Sequence, residues 1–203
     1  MTQTPADVPI RPAATVVLWR MLGGQAQVLM GMRGAKAAFM PSKYVFPGGA
    51  VDPGDLAPDQ MIAPLCQHRL TLSCPPDAPA PLTLTGTALR ELTEETGLAL
   101  HPAARLTFVF RAITPQGSPR RFDARFFLAP ASAVSGDIDD FTDAEAELSH
   151  LHWIGLSQAR SLDLPFITEV VLAEVAGILA GLDQPGVPFF DNSAADPVFR
   201  RLT

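Results

Sequence analysis

The sequence predicts an α+β fold on three observations: a glycine-joined pair of β-rich runs near the start, a second strand pair past the middle, and two stretches of helical periodicity. The runs in the 13–22 region and over 26–33 meet at Gly23-Gly24, a strong hairpin signal. Tyr44-Val45-Phe46 reads as a short strand that Pro47-Gly48-Gly49 stops in a glycine turn. Residues 53–82 are rich in proline and lack sustained periodicity, which predicts a long loop or poorly ordered insertion. Thr83 to Gly97 reads as a helix. Residues 105–113 and 121–129 read as strands linked by a turn that carries Gly117 and two prolines, and 151–156 as a last short strand. From Pro165 to Leu182, apolar residues recur at helical spacing, with proline at the start and Gly181 at the end. The tail over 185–199 reads as irregular. No internal repeat is evident, and one domain over 1–203 is expected.

Composition narrows the function. Apolar residues make up 47% and charged residues 18% of the chain, enough to bury a core and exclude disorder as the main state. A formal charge of −6 offers no general basic surface to a phosphate backbone, which argues against nucleic-acid binding. The opening MTQTPADVPIRP has neither the basic region nor the apolar run of a secretory leader. The longest apolar stretch, Val170 to Leu182, is broken by Glu174 and falls short of the ~20 residues a membrane span needs. Cys66 and Cys74 are too few for a disulfide framework. A cytoplasmic protein with no membrane partner is expected.

The chemistry concentrates in Arg90-Glu91-Leu92-Thr93-Glu94-Glu95-Thr96-Gly97-Leu98. On a helix, Glu91, Glu94 and Glu95 fall within an arc of about 100°, so three carboxylates share one stripe. Their mutual repulsion costs a few tenths of a kcal/mol per pair, roughly, and a hard divalent cation bound by oxygen removes it. Arg90 can hold Glu94 one turn on, and Gly97 is placed to end the helix left-handed. Taken alone, the stripe reads as a solvated helix face. Phe46-Pro47-Gly48-Gly49 upstream changes that, because a glycine turn lets backbone N–H groups approach a phosphate.

Turn and helix together resemble the box of the Nudix hydrolases, Gly-x5-Glu-x7-Arg-Glu-U-x-Glu-Glu-x-Gly-U, with U a bulky aliphatic. Arg90 to Leu98 match at every specified position. Gly49 opens the first half, where Asp55 stands in place of Glu and the 34 residues 56–89, rather than seven, precede Arg90. The phrases at 39–52, 114–129 and 188–192 resemble the branch that contains the mammalian peroxisomal coenzyme A diphosphatase, which also carries a long insertion in its box. The resemblance spans roughly residues 12–192. It implies an α/β/α sandwich with a mixed central sheet, an insertion at about 56–82, and Mg²⁺- or Mn²⁺-dependent hydrolysis of a diphosphate bridge. Glu91, Glu94 and Glu95 are then the metal ligands, Arg90 orients Glu91 or Glu94, and Gly48 and Gly49 shape the loop beside the metal. Coenzyme A or an acyl derivative is the expected substrate, giving 3′-phosphoadenosine 5′-phosphate and a phosphopantetheine. ADP-ribose, NADH or another nucleoside diphosphate derivative is the alternative, and a catalytically silent ligand-binding module is a third. A homodimer is a further family expectation.

The family places its general base either in the box or on a later loop, which makes Glu145 and Glu147, in the acidic stretch 137–148, candidates beside Asp55. A solvated acidic loop is the competing reading. Arg33, Lys36, Arg120, Arg121 and Arg125 are the cations expected near the cleft, able to fork onto phosphate oxygens. Along a strand, Arg121, Asp123 and Arg125 share one face, with Phe122, Ala124 and Phe126 on the other; a charged outer face over a packed inner one is the plainer reading. Cys66, His68 and Cys74 do not have the spacing of a common zinc site. Trp153 and Phe189-Phe190 read as packing residues rather than a base-stacking platform.

Overall fold

The computed structural model describes residues 8–203; residues 1–7, most of the stretch read above for a leader, lie outside the described residues. Strand β1 (Ile10–Leu22) turns at Gly23-Gly24 into β2 (Gln25–Arg33). Both glycines take positive φ, +58° and +77°, as a tight hairpin of this twist demands. Two short strands follow, β3 (Tyr44–Val45) and β4 (Gly48–Ala50). After them come helices α1 (Pro64–Thr71) and α2 (Pro81–Thr96), then β5 (Ala99–Leu100), β6 (Thr107–Ile113), β7 (Arg121–Pro130) and β8 (Val134–Ser135). The chain ends with β9 (Leu148–Gly155), α3 (Leu156–Ala159), α4 (Phe166–Leu179), β10 (Val187–Asp191) and β11 (Val198–Leu202).

The main sheet is mixed, in the order β11-β10-β6-β7-β1-β2-β3, with β4 paired to β1 and β9 to β2. β1 is the hub: it runs parallel to β7 along ten residues, while its two halves pair antiparallel with β4 and β2. Strand alternation then builds two cores. Ala14, Val16 and Leu18 face Leu84, Ala88 and Leu92 of α2, and Val17, Val28 and Met30 face Val171, Leu172 and Val175 of α4. The result is the expected α+β architecture, helices on both faces of a mixed sheet. Among the described residues no helix is long and apolar enough to cross a membrane.

Three expectations are corrected. Residues 53–82 are not a structureless insertion: a 3₁₀ turn at Asp59–Met61 and helix α1 put Met61, Ile62, Cys66 and Leu70 into the α2-side core. Ile62, Cys66 and Leu70 recur at four-residue spacing, a signal that the prolines hide. Pro64 and Pro81 sit in the first turn of their helices, where a missing N–H loses nothing. The tail is not irregular either, because β10 and β11 complete one edge of the sheet. Pro188 is tolerated since β10 pairs with β6 only at Phe189 and Phe190. Finally, Gly48 and Gly49 do not form a turn; they are extended in β4, opposite Thr15 and Ala14.

Candidate active site

Helix α2 carries the carboxylate stripe, and its start and end are well marked. Pro81 opens it, and Gly97, at φ +75°, ends it with its N–H on the Thr93 carbonyl at 2.8 Å. Leu84, Ala88 and Leu92 bury one face, which turns Glu91 and Glu95 toward β4. The glycines of β4 are there for space. A Cβ on Gly48 would overlap Thr15, and one on Gly49 would overlap the Glu91 carboxylate. The Gly48 N–H, expected to be free for a phosphate, instead donates to Glu95 Oε2 at 2.7 Å.

Glu95 is 2% exposed, and its second oxygen, Oε1, is buried with no partner among the described residues. Burial pushes its carboxyl up to about 8, against the pull of the Gly48 N–H, with the Glu91 and Glu147 charges adding to the rise. Glu91 is raised as well, chiefly by burial, although the Arg90 guanidinium opposes it. Arg90 ties these parts together. It donates to Asp55 Oδ1 (2.8 Å) and Oδ2 (3.1 Å), to Glu91 Oε1 (2.9 Å), to Glu94 Oε2 (2.8 Å) and to the Ala50 carbonyl (3.0 Å). Asp55 also accepts from the Thr87 hydroxyl and the Asp52 N–H. Burial alone would raise Asp55, yet these donors hold it at about 2. Asp55 is thus committed to Arg90 rather than free as a base. Among the described residues no three His, Cys, Asp or Glu side chains are gathered to hold a metal ion by themselves. The hard-oxygen pair Glu91 and Glu95, one oxygen of it orphaned, nonetheless fits an ion that takes its remaining ligands from phosphate and water.

The acidic loop reaches the site from the other side. The Glu145 N–H donates to the Glu94 carbonyl at 2.7 Å, docking the loop on the end of α2. β9 then begins with Leu148 opposite Arg33 of β2, so Glu147 stands beside Arg33, which donates to its Oε1 at 2.6 Å. The Glu145 and Glu147 side chains are both exposed, and of the two it is Glu147 that lines the cleft with Glu91.

That cleft is a cavity of about 310 Å³ bounded by the glycines of β4, Glu91 and Glu147 at one end. Phe39, Phe46, Ile113, Phe122 and Phe126 form apolar walls, and Arg11, Arg33 and Arg120 are its cations. Sequence reading did not single out Arg11 or Phe39. The face of β7 expected to be packed inward, Phe122, Ala124 and Phe126, is the one that lines the cleft. Its other face is not a charged outer surface: Arg121, Asp123 and Arg125 are 4%, 8% and 1% exposed. Arg121 donates to the Thr114 and Ser193 carbonyls, and Arg125 to the Asp123 carbonyl. Both are out of the cleft. Lys36 is exposed and does not line it either. Trp153 packs under the Arg20 guanidinium and donates to the Ile138 carbonyl.

No protein-family model matches the sequence, and no curated protein does. Solved structures do. A Nudix hydrolase from Alicyclobacillus acidocaldarius superposes with a TM-score of 0.59 at 25% identity, over 84% of this chain and 93% of that one. An Ap4A hydrolase from C. elegans, solved as a binary complex, gives 0.53 at 18% identity over 85% and 100%. The Nudix domain of Shewanella oneidensis NrtR, solved with ADP ribose, gives 0.53 at 16% identity over 86% and 91%. The chain thus shares the fold of solved Nudix hydrolases and carries Arg90-Glu91-x-x-Glu94-Glu95-x-Gly97 on the helix beside its cleft.

Proposed function

We propose that the protein hydrolyses the diphosphate bridge of a nucleoside diphosphate derivative with Mg²⁺ or Mn²⁺, coenzyme A or an acyl-coenzyme A being the first candidate, in the cytoplasm. The buried, partnerless Oε1 of Glu95 beside Glu91 carries the reading, because an unsatisfied carboxylate oxygen next to a second raised carboxyl suits a divalent cation. A divalent ion held there would screen the diphosphate charge and assist attack by water on phosphorus. Glu91 and Glu95 hold it, and Arg90 keeps Glu91 and Glu94 in place while staying clamped to Asp55. Glu147 takes the proton of the attacking water once Arg33, its present partner, turns its fork to a phosphate oxygen. Residues 56–82 belong to the same domain, since Ile62, Cys66 and Leu70 complete its core.

The substrate choice rests on the walls of the cleft. Aromatic and aliphatic side chains suit a pantetheine or acyl arm, and Arg11 joins Arg120 in the phosphate-reading role that Arg120, Arg121 and Arg125 were expected to share. The test is a Mg²⁺-dependent turnover screen over coenzyme A, an acyl-coenzyme A, ADP-ribose, NADH and dinucleoside polyphosphates. Fastest turnover of a coenzyme A species supports the full reading. Turnover of ADP-ribose or NADH alone keeps the diphosphatase and removes the coenzyme A assignment. No turnover of any member contradicts the reading as a whole.

A further inference from the structure

On the side of β7 away from the cleft, two buried guanidiniums share a single carboxylate. Arg111 and Arg125 are 2% and 1% exposed. Asp123 gives both of its oxygens to Arg111, at 2.8 and 2.7 Å, and Oδ2 also meets Arg125 Nη1 at 3.0 Å. Arg111 Nη1 donates to the Leu72 and Ser73 carbonyls, which fixes the chain immediately before Cys74. Arg125 Nη1 donates to the Asp123 carbonyl at 2.7 Å, and Nη2 to Cys74 Sγ at 3.4 Å. The Arg125 Nε–H is buried with no partner among the described residues.

Guanidinium geometry gives that vacancy a direction. Nε–H and one Nη2–H leave the same edge of the planar group as a two-donor fork, the edge that grips pairs of adjacent acceptor atoms. In Arg125 one tine rests on the Cys74 sulfur and the other on nothing. A second acceptor atom bonded to that sulfur would complete the pair. We propose that Cys74 is an oxidation site at which hydrogen peroxide forms a sulfenic acid, its oxygen received by the empty tine of Arg125. The sulfur attacks one peroxide oxygen, an S–O bond forms and the O–O bond breaks. Sulfur is oxidised by two electrons, and the departing hydroxide takes the thiol proton to become water. The negative charge builds on the departing oxygen until it takes that proton, while the free Nε–H of Arg125 donates to the oxygen left on sulfur and holds the sulfenic acid in place. Cys74 is half-buried, so a small oxidant can reach it, whereas Cys66 is buried in the α2-side core. In the reduced protein the thiol donates to the Leu70 carbonyl at 3.1 Å, and the second tine is bare.

The experiment treats the reduced full chain with hydrogen peroxide, traps sulfenic acid with dimedone and maps the adduct by peptide mass spectrometry. The dimedone adduct is expected on Cys74 in roughly tenfold excess over Cys66, to survive Cys66→Ser and to vanish in Cys74→Ser. Arg125→Lys keeps the charge but loses the fork, and is expected to slow adduct formation by roughly tenfold. Should that variant not fold, the rate at Cys74 in the native chain is compared with its rate in the same chain unfolded in urea, where the fork is absent. Faster reaction in the native state supports the site. Equal labelling of the two cysteines, an unaltered rate in folded Arg125→Lys, or a native rate no higher than the unfolded one would overturn it.

Discussion

Glu95 holds a proton at neutral pH that the unfolded chain would release, because burial lifts its carboxyl from 4.5 to about 8. Between those values the folded state binds the extra proton, so this residue makes the metal-free protein less stable as pH rises through the window. The size is on the order of a few kcal/mol, and Glu95→Gln should remove it. Urea midpoints of the Mg²⁺-free wild type should therefore fall, relative to Glu95→Gln, between about pH 5.5 and about pH 8. A relative rise has the wrong sign for a buried, raised carboxyl. Asp55 behaves in the opposite way. Its carboxyl is held at about 2, so its contribution is present above 3.8 and is lost as pH falls toward 2. Replacing it by Asn should cost about 1–2 kcal/mol at neutral pH, since Arg90 keeps its other partners, and should lower turnover by loosening Arg90. Gly49→Ala is a sharper probe. The new methyl group displaces the Glu91 carboxylate without entering the core, so kcat should fall roughly a hundredfold while Tm moves little. Unchanged kcat in that variant would remove Glu91 from the chemistry.

At the scale of elements, local signals and long-range ones were unequally legible. The first hairpin, the box helix and its Gly97 end could be read directly, because a glycine pair, a carboxylate stripe and a C-terminal glycine act within a few residues. Helix α1 could not, since its apolar spacing spans only eight residues between prolines. β10 and β11 were invisible for a related reason: β10 takes its place in the sheet from β6, far away in sequence, and β11 forms only on β10. Spacing put Arg90, Glu91, Glu94 and Glu95 near one another on the helix, whereas Glu147 was offered, with Glu145, only by the family resemblance, as a base on a later loop. The fate of Arg121 and Arg125 was not, because alternation along β7 tells which residues share a face but not what covers it. The loop that begins the insertion is seated on α2 at Gly86, where a Cβ would overlap the Leu56 backbone. Gly86→Ala should therefore unseat Leu56 and its neighbour Asp55, costing about 1–3 kcal/mol in denaturant unfolding. A variant as stable as wild type would show that this packing is dispensable.

Across the whole molecule, β1 joins two tasks. One face of it packs the core under α2, and its pairing with β4 holds the glycines against Glu91 and Glu95 at the mouth of an apolar cleft. The acidic loop closes the same end by docking on the last turn of α2, which puts Glu147 in the cleft that Glu91 also lines. The net charge of −6 thus includes a cluster that the fold concentrates instead of dispersing. Such a cluster is stable only with protons, with Arg90 and Arg33, or with a cation in place. The proposed function makes a divalent cation held there the catalytic one. It is tested most directly by diphosphatase turnover of wild type and Glu95→Gln, each titrated with Mg²⁺ on the best substrate of the screen. The expected result is saturable Mg²⁺-dependent turnover in wild type and a fall of at least roughly a hundredfold in Glu95→Gln, with the fold intact. Glu95→Gln turning over at near wild-type rate, with the same Mg²⁺ dependence, would contradict it.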